Sequence, residues 1–588
     1  MKNNNLTLKE TFQVALENYK KKNFLLVENL CNKILSIDSN HFDSLVLLSN
    51  IAAMGSNYPK AKELLEKADE TKPNNLSVLN NLGTACKEMG KPKEAMIFYE
   101  KVIRINPNHA NAQFNLGAAS YNLRDFKKAK IFFTKTIEIQ PNYGLAFLSL
   151  ANVNVELKEH ENAISNYQKA IEINPKLVSA HNNLGLVYRE LNDYQNAIDS
   201  YKKAIEIKPN HAGAHHNLAL AHKEMGNFEG AIKSHEMAIK YEPENLVNYF
   251  YLSELKKEIL DSSLKNKVIE ILRSKKILKK NEAYGNYLLS KYEKNNNNYE
   301  NELNCLIKGH KSYFESKKEK FELGVKYCFE DVMQISGGVK VEKSIKINAN
   351  EIKPIFIVGV PRCGSTLVEK IIGSGKIFVP MGEETAVFEK FINLKILEKR
   401  SLNLGGVENI RNEVSDIYKQ KGLIFKKYNN TFIDKSLNNF FYLELIKDIY
   451  PNSKIINCQR DALSSIMSIF QNNITELAWT HDLNNIFKYF NNYFEIMKNY
   501  HEVNPNTIYE LDFEKLVNNP EHETKKLMKY CELPWDKKCL QFYKRKDLIS
   551  KTASNVQVRK AIYKHSKEKY LPYKLFLKDY GKNYSWFN

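Results

Sequence analysis

A chain of 588 residues exceeds what a single hydrophobic core supports, so two or more domains are expected, and 43% hydrophobic with 26% charged residues excludes a disordered protein. No apolar run approaches the ~20 residues that span a bilayer, and the opening Met1-Lys2-Asn3-Asn4-Asn5-Leu6-Thr7 lacks the apolar core of a signal peptide, which reads as a cytoplasmic chain with no membrane span. The net charge of +19 is carried by dispersed lysines with no nucleic-acid module, and the eight cysteines form no CxxC pair, so neither nucleic acid, a metal site nor a disulfide framework is expected.

Proline recurs at Pro73, Pro107, Pro141, Pro175, Pro209 and Pro243, always at intervals of 34 residues. Alanine keeps the same phase at Ala61, Ala95, Ala129, Ala163, Ala197 and Ala231. Leucine followed by a small residue does likewise at Leu82-Gly83, Leu116-Gly117, Leu150-Ala151, Leu184-Gly185 and Leu218-Ala219. Tyr99, Phe133, Tyr167 and Tyr201 follow their alanines by four. Each unit reads as two short amphipathic helices. Small residues let them approach, an aromatic ring fills the space between them, and proline opens the next unit in a first helical turn. The pattern resembles the tetratricopeptide repeat. It is clear over 39–242, with Ser39 in a proline position, and residues 7–38 read as a degenerate N-terminal unit. Decayed helices, including a pair over 283–317, extend the all-α superhelix over 7–320.

Such arrays offer a concave face to a polypeptide or partner protein. Asn81, Asn115, Asn183 and Asn217 share one repeat position, with Ser149 completing the column. Asparagine amides can pair with a peptide backbone regardless of its sequence. The column resembles the asparagine ladder of O-linked N-acetylglucosamine transferase, which implies substrate binding. The alternative is that these amides bond neighbouring helices.

Residues 321–352 read as a linker, with Ser336-Gly337-Gly338 breaking the helical pattern, and 353–588 as an α/β domain. Strands are expected at 355–360, 431–433, 454–458 and 507–511, alternating with helical periodicity at 437–449, 462–470 and 521–531. That alternation argues for a parallel sheet covered by helices, with ligands at the carboxyl ends of the strands. The first strand runs into Gly359-Val360-Pro361-Arg362-Cys363-Gly364-Ser365-Thr366-Leu367, a glycine loop opening a helix. This is a P-loop-like anion site, but Ser365 stands where the Walker lysine would. Charged residues recur at later strand ends: Glu383 and Glu384 in Gly382-Glu383-Glu384-Thr385, then Lys435, then Arg460 with Ser468 eight residues on.

These landmarks resemble the sulfotransferases, most closely the tyrosylprotein sulfotransferases, with their GVPRSGTTL-type loop followed by GEET. The resemblance spans about 354–580. It implies 3′-phosphoadenylyl sulfate as donor, with no metal. It implies catalytic roles for Glu384 as base and for Arg362, Lys435 and Ser554 in neutralising charge on the transferred group. Cofactor binding falls to Arg362, Cys363, Gly364, Ser365 and Thr366 at the 5′-phosphate, to Arg460 and Ser468 at the 3′-phosphate, and to Lys567 in a closing loop. Cys363 replaces the family's loop serine, and Phe513 replaces a tyrosine. A histidine base is the other arrangement known in sulfotransferases, with His481 as its candidate. The implied acceptor is a hydroxyl, protein tyrosine foremost, presented by the repeats. A glycan or small-molecule acceptor, or a non-catalytic repeat scaffold, is the alternative.

Overall fold

The computed structural model describes residues 7–274, 276–342, 352–399, 402–424, 431–545, 561–562 and 567–587. It forms two compact units, Met1–Ala221 and His222–Asn588. The first is a stack of helix pairs, among them Leu76–Glu88 with Pro92–Ile105, Ala110–Asn122 with Phe126–Ile139, and Val178–Glu190 with Tyr194–Ile207. The degenerate N-terminal stretch also folds as a pair, Leu8–Lys20 and Phe24–Ile37, opened by a capping box between Thr7 and Glu10.

The repeated glycines and aromatics meet as the periodicity implies. A Cβ at Gly83 would lie 2.5 Å from the Tyr99 ring, at Gly117 2.7 Å from Phe133, and at Gly185 2.6 Å from Tyr201. Any larger residue there would push the paired helices apart. The prolines sit differently from the expectation. Each lies in the turn between units: Pro73 falls after the helix ending at Thr71 and before the one starting at Leu76. Lys72 ahead of it is extended, with φ −133° and ψ 82°. A following proline ring disfavours helical ψ, so it stops the helix instead of starting one.

In the second unit a four-stranded parallel sheet has the order β4-β2-β5-β6. The strands are β2 (Ile355–Gly359), β4 (Ile433–Asp434), β5 (Lys454–Gln459) and β6 (Tyr509–Asp512). Ile355, Phe356, Ile357 and Val358 are all fully buried, as a central strand covered on both faces requires. A separate parallel pair joins β1 (Lys340–Glu342) to β3 (Asn403–Gly406).

The stretch read as linker holds regular structure in its described part. Helix Lys318–Lys326, a π-helical turn Tyr327–Asp331 and helix Val332–Gly338 run through the Ser336-Gly337-Gly338 break. These helices and those from Leu246 onward belong to the sheet's own core. One apolar cluster contains Leu246, Tyr287, Tyr313, Phe321 and Val332 together with Ile357, Ile456 and Leu577. Polar groups fasten the same elements. The Glu302 carboxylate accepts from Tyr573 Oη at 2.5 Å and from Gln471 Nε2 at 2.8 Å. His310 Nε2 lies 2.6 Å from the Phe470 carbonyl and so carries the proton; His481 Nδ1, 2.9 Å from His310 Nδ1, then donates to it.

Candidate active site

β2 ends at Gly359, opposite Cys458 in the register with β5. Gly359 has φ +145°, and a Cβ there would come within 2.7 Å of the Cys458 carbonyl oxygen, so only glycine lets the chain leave the sheet at this point. The loop turns through Arg362 at φ +69° and closes with the Cys363 N–H donating to the Val360 carbonyl at 3.2 Å. Gly364, at φ +102°, caps helix Ser365–Gly373. The N–H groups of Leu367 and Val368 both go to the Gly364 carbonyl, at 2.9 and 3.3 Å. Those of Gly364, Ser365 and Thr366 precede this ladder at the helix start.

Cys363 contributes no side chain to that cradle. It is fully buried, with its N–H used inside the loop. The Cys458 thiol beside it lowers its pKa against the effect of burial, helped by Ser365, and Cys458 is correspondingly raised. The cysteine that replaces the family's serine thus faces the core.

Arg362, Arg460 and Ser468 come together around the loop. Arg362 Nε donates to Ser468 Oγ at 3.0 Å, and Arg460 Nη1 donates to the Arg362 carbonyl at 3.0 Å. Asn472 Nδ2 donates to the Ser468 carbonyl at 2.6 Å. Phe513 lies beneath both features. Its ring would meet a Cβ at Gly364 at 2.3 Å, and the Arg460 guanidinium stands 4.9 Å from its centroid. A phenyl ring in the tyrosine position therefore keeps the packing and cation–π contact. Arg460 Nε is buried with no hydrogen-bond partner among the described residues.

Glu384 and Lys435 form the second cluster. The Gly382–Thr385 turn hangs on β4 through the Gly382 N–H to the Ile433 carbonyl at 2.8 Å and the Lys435 N–H to the Glu383 carbonyl at 3.0 Å. Lys435 Nζ, fully buried, donates to Glu384 Oε1 at 3.1 Å, while the Glu384 side chain is 58% exposed. Burial works against the Lys435 charge, but Glu384, Glu369 and Glu383 outweigh it and hold its pKa above the ordinary lysine value. Asp434, which spacing alone did not single out, ties the turn to the sheet. It accepts from Thr385 Oγ1 at 3.0 Å, Tyr418 Oη at 2.5 Å and the Ser436 N–H at 2.8 Å.

Four expectations fare differently. Ser554 lies outside the described residues, as does the Lys567 side chain, although its backbone opens the 3₁₀ turn Lys567–Tyr570. His481 is buried, stacked against Tyr313 and Phe321 and bonded to His310, so it is a packing residue and not a base. The asparagine column joins successive repeats. Asn81 and Asn183 donate to Asn50 and Asn152 of the preceding unit at 3.5 and 3.1 Å, and Asn115 and Asn217 donate to Asn80 and Asn182 at 3.1 and 3.0 Å. The bonding expected from the alternative reading is present, and it engages the amide nitrogens.

Residues 354–537 match the model of the Sulfotransferase family. Tetratricopeptide-repeat models match 77–109, 110–143 and 214–247, and TPR-repeat models match 151–191 and 185–226. The chain therefore joins tetratricopeptide repeats to a domain of the sulfotransferase family. It is 29% identical over 324 residues to an uncharacterized protein of Aquifex aeolicus, a match covering 52% of this chain and 42% of that one. It is 27% identical over 217 residues to protein-tyrosine sulfotransferase A of Caenorhabditis elegans, covering 34% of this chain and 56% of the relative. The matches thus span about half the length of these relatives. Among solved structures, that of MamA is 27% identical and covers 28% of this chain and 95% of its own, at a TM-score of 0.27. No described helix is long and apolar enough to cross a membrane.

Proposed function

We propose that this protein transfers a sulfuryl group from 3′-phosphoadenylyl sulfate to an acceptor hydroxyl, with protein tyrosine as the foremost acceptor and the repeats engaging the polypeptide. The observation that carries the reading is the adjacency of two clusters at the carboxyl ends of parallel strands: a glycine cradle with Arg362, Arg460 and Ser468, and the Lys435–Glu384 pair. The residues fit the donor. Gly364 opens the helix at φ +102° with no side chain on the loop, and the buried Arg460 Nε has no hydrogen-bond partner among the described residues. When bound, the donor supplies the sulfuryl group, whose bond to the 5′-phosphate oxygen breaks as one to the acceptor oxygen forms.

The chain's own residues supply position and charge. The N–H groups of Gly364 to Thr366 hold the 5′-phosphate. Arg460 and Ser468 hold the 3′-phosphate, and Arg362, bonded to Ser468, spans the two ends. Glu384 reaches solvent and takes the acceptor proton on its carboxylate. Lys435 orients that carboxylate and offsets negative charge on the departing oxygen. The name of the Caenorhabditis elegans relative favours tyrosine as acceptor.

The test is incubation of the full chain with labelled donor and a mixture of peptides and glycans. Label should appear on tyrosine, and Glu384→Gln should lower kcat by about 10²–10⁴-fold, as expected for a lost general base. Donor-product affinity should stay unchanged. Label confined to sugars would remove the tyrosine assignment, and full turnover by Glu384→Gln would remove the base assignment.

A further inference from the structure

Helix Ser365–Gly373 carries two adjacent charges into the interior. Glu369 is 0% exposed and Lys370 2%. Burying charge is costly unless it is paired, and a charge kept there needs a reason. Glu369 Oε1 accepts the backbone N–H of Glu383 at 3.0 Å. Its other oxygen, Oε2, has no hydrogen-bond donor among the described residues and lies 4.0 Å from Lys370 Nζ, which stands 3.6 Å from the Glu383 carboxylate. Glu383 itself has φ +44°, a conformation a non-glycine residue holds only with support from its surroundings. That support is the Glu369 carboxylate on one side and the Lys435 N–H on the other.

We infer that Glu369 is a positioning residue of the transfer centre, its buried carboxylate pinning the Glu383–Glu384 turn and supplying negative charge beneath Lys435. The inference rests on the proposed roles of Glu384 and Lys435. The charged and titratable groups around Lys435 are Glu383 and Glu384 of the turn, Glu369 and Lys370 of the helix, Cys363 of the loop, Cys458 of β5 and the neighbouring Asp434. When Glu384 takes the acceptor proton, its negative charge is lost. Glu369 then keeps Lys435 cationic when charge on the leaving oxygen peaks. Burial lifts the Glu369 pKa, Lys435 and Lys370 counter part of that rise, and Glu369 in turn raises the pKa of Lys435.

The test uses the full chain with Glu369→Gln and Glu369→Ala. Glutamine keeps an oxygen for the Glu383 N–H but removes the charge; alanine removes both. Lys435 protonation is read from its Nζ resonance in 15N-lysine NMR over a pH series, assigned with Lys435→Arg, beside pH profiles of kcat and the KM for donor. In Glu369→Gln, Lys435 should titrate about one unit lower, and the basic limb of kcat should shift with it while donor KM stays within about twofold. In Glu369→Ala, kcat should fall a further tenfold or so at every pH, because the turn is released. If alanine prevents folding, glutamine decides. Wild-type titration and rate profiles in Glu369→Gln overturn the inference. Should the wild-type chain transfer no sulfuryl group while the Lys435 titration still shifts in Glu369→Gln, the functional reading falls and the pairing of Glu369 with Lys435 stands.

Discussion

Arg362 and Gly364 both adopt positive φ, at +69° and +102°, and the loop's shape depends on them. Arginine tolerates this at a cost of about 1–2 kcal/mol, whereas at Gly364 the Phe513 ring adds a steric bar to any side chain. Gly364→Ala should therefore weaken 3′-phosphoadenosine 5′-phosphate binding about 10–100-fold in titration calorimetry, the equivalent of ~1–3 kcal/mol of strain. Wild-type affinity would show that the loop is not the phosphate site. The loop's Gly-to-Gly spacing, Arg362, Lys435 and Arg460 were legible at strand ends, whereas Glu384, in a turn, and Ser468, inside helix Ala462–Gln471, were marked by the resemblance to the sulfotransferases. Glu369 and Asp434 were not. A buried acid in an amphipathic helix or after a strand looks like any other until the neighbouring turn is seen to bond to it.

At the scale of elements, the asparagine column does two things that its phase could not separate. Each amide nitrogen links one repeat to the one before. The partner alternates because Asn50 and Asn152 occupy one position, and where that position holds Thr84 or Leu186 the bond falls back to Asn80 or Asn182. Replacing Asn115, Asn183 and Asn217 with alanine should cost about 1 kcal/mol per lost bond, seen as a lower melting temperature of the repeats. If the remaining amide groups also grip the acceptor polypeptide, its KM should rise; an unchanged KM with lowered stability would leave the column a purely structural device. The repeat prolines teach a related lesson. Their period was plain, but their place in the turn follows from a steric effect on the preceding residue, here Lys72.

At the scale of the molecule, the sheet does not stand without the helices before it. Phe321, Tyr313 and Tyr287 share its core, and Glu302 and His310 bond to the C-terminal end of helix Ala462–Gln471, which carries Ser468. A chain of residues 352–588 should aggregate or melt far below one of residues 222–588 when both are compared by calorimetry; equal melting temperatures would contradict the shared core. The same junction is sensitive to acid. Burial pushes His310 down to about 4, and burial with His310 and Lys317 nearby pushes His481 down to about 2, against ~6.5 in an unfolded chain. Between pH 6.5 and 4 the unfolded form binds more protons. The stabilisation is therefore complete above pH 6.5 and declines as the pH falls through this window, by up to about 1.4 kcal/mol per unit for each histidine. Melting curves from pH 7.5 to 5 should show this fall, and His310→Gln should flatten it.

The sequence by itself determined the repeat, its period, the anion loop and the order of charged strand ends, because periodicity and turn chemistry are local properties written residue by residue. Tertiary structure alone decided which groups those landmarks touch. It turned Cys363 inward, placed Phe513 under both Gly364 and Arg460, put His481 in a core instead of a site, and gave the helices between Leu246 and Gly338 to the sheet. Each depends on contacts between residues far apart in the chain, where burial and pairing of charge outweigh any local preference.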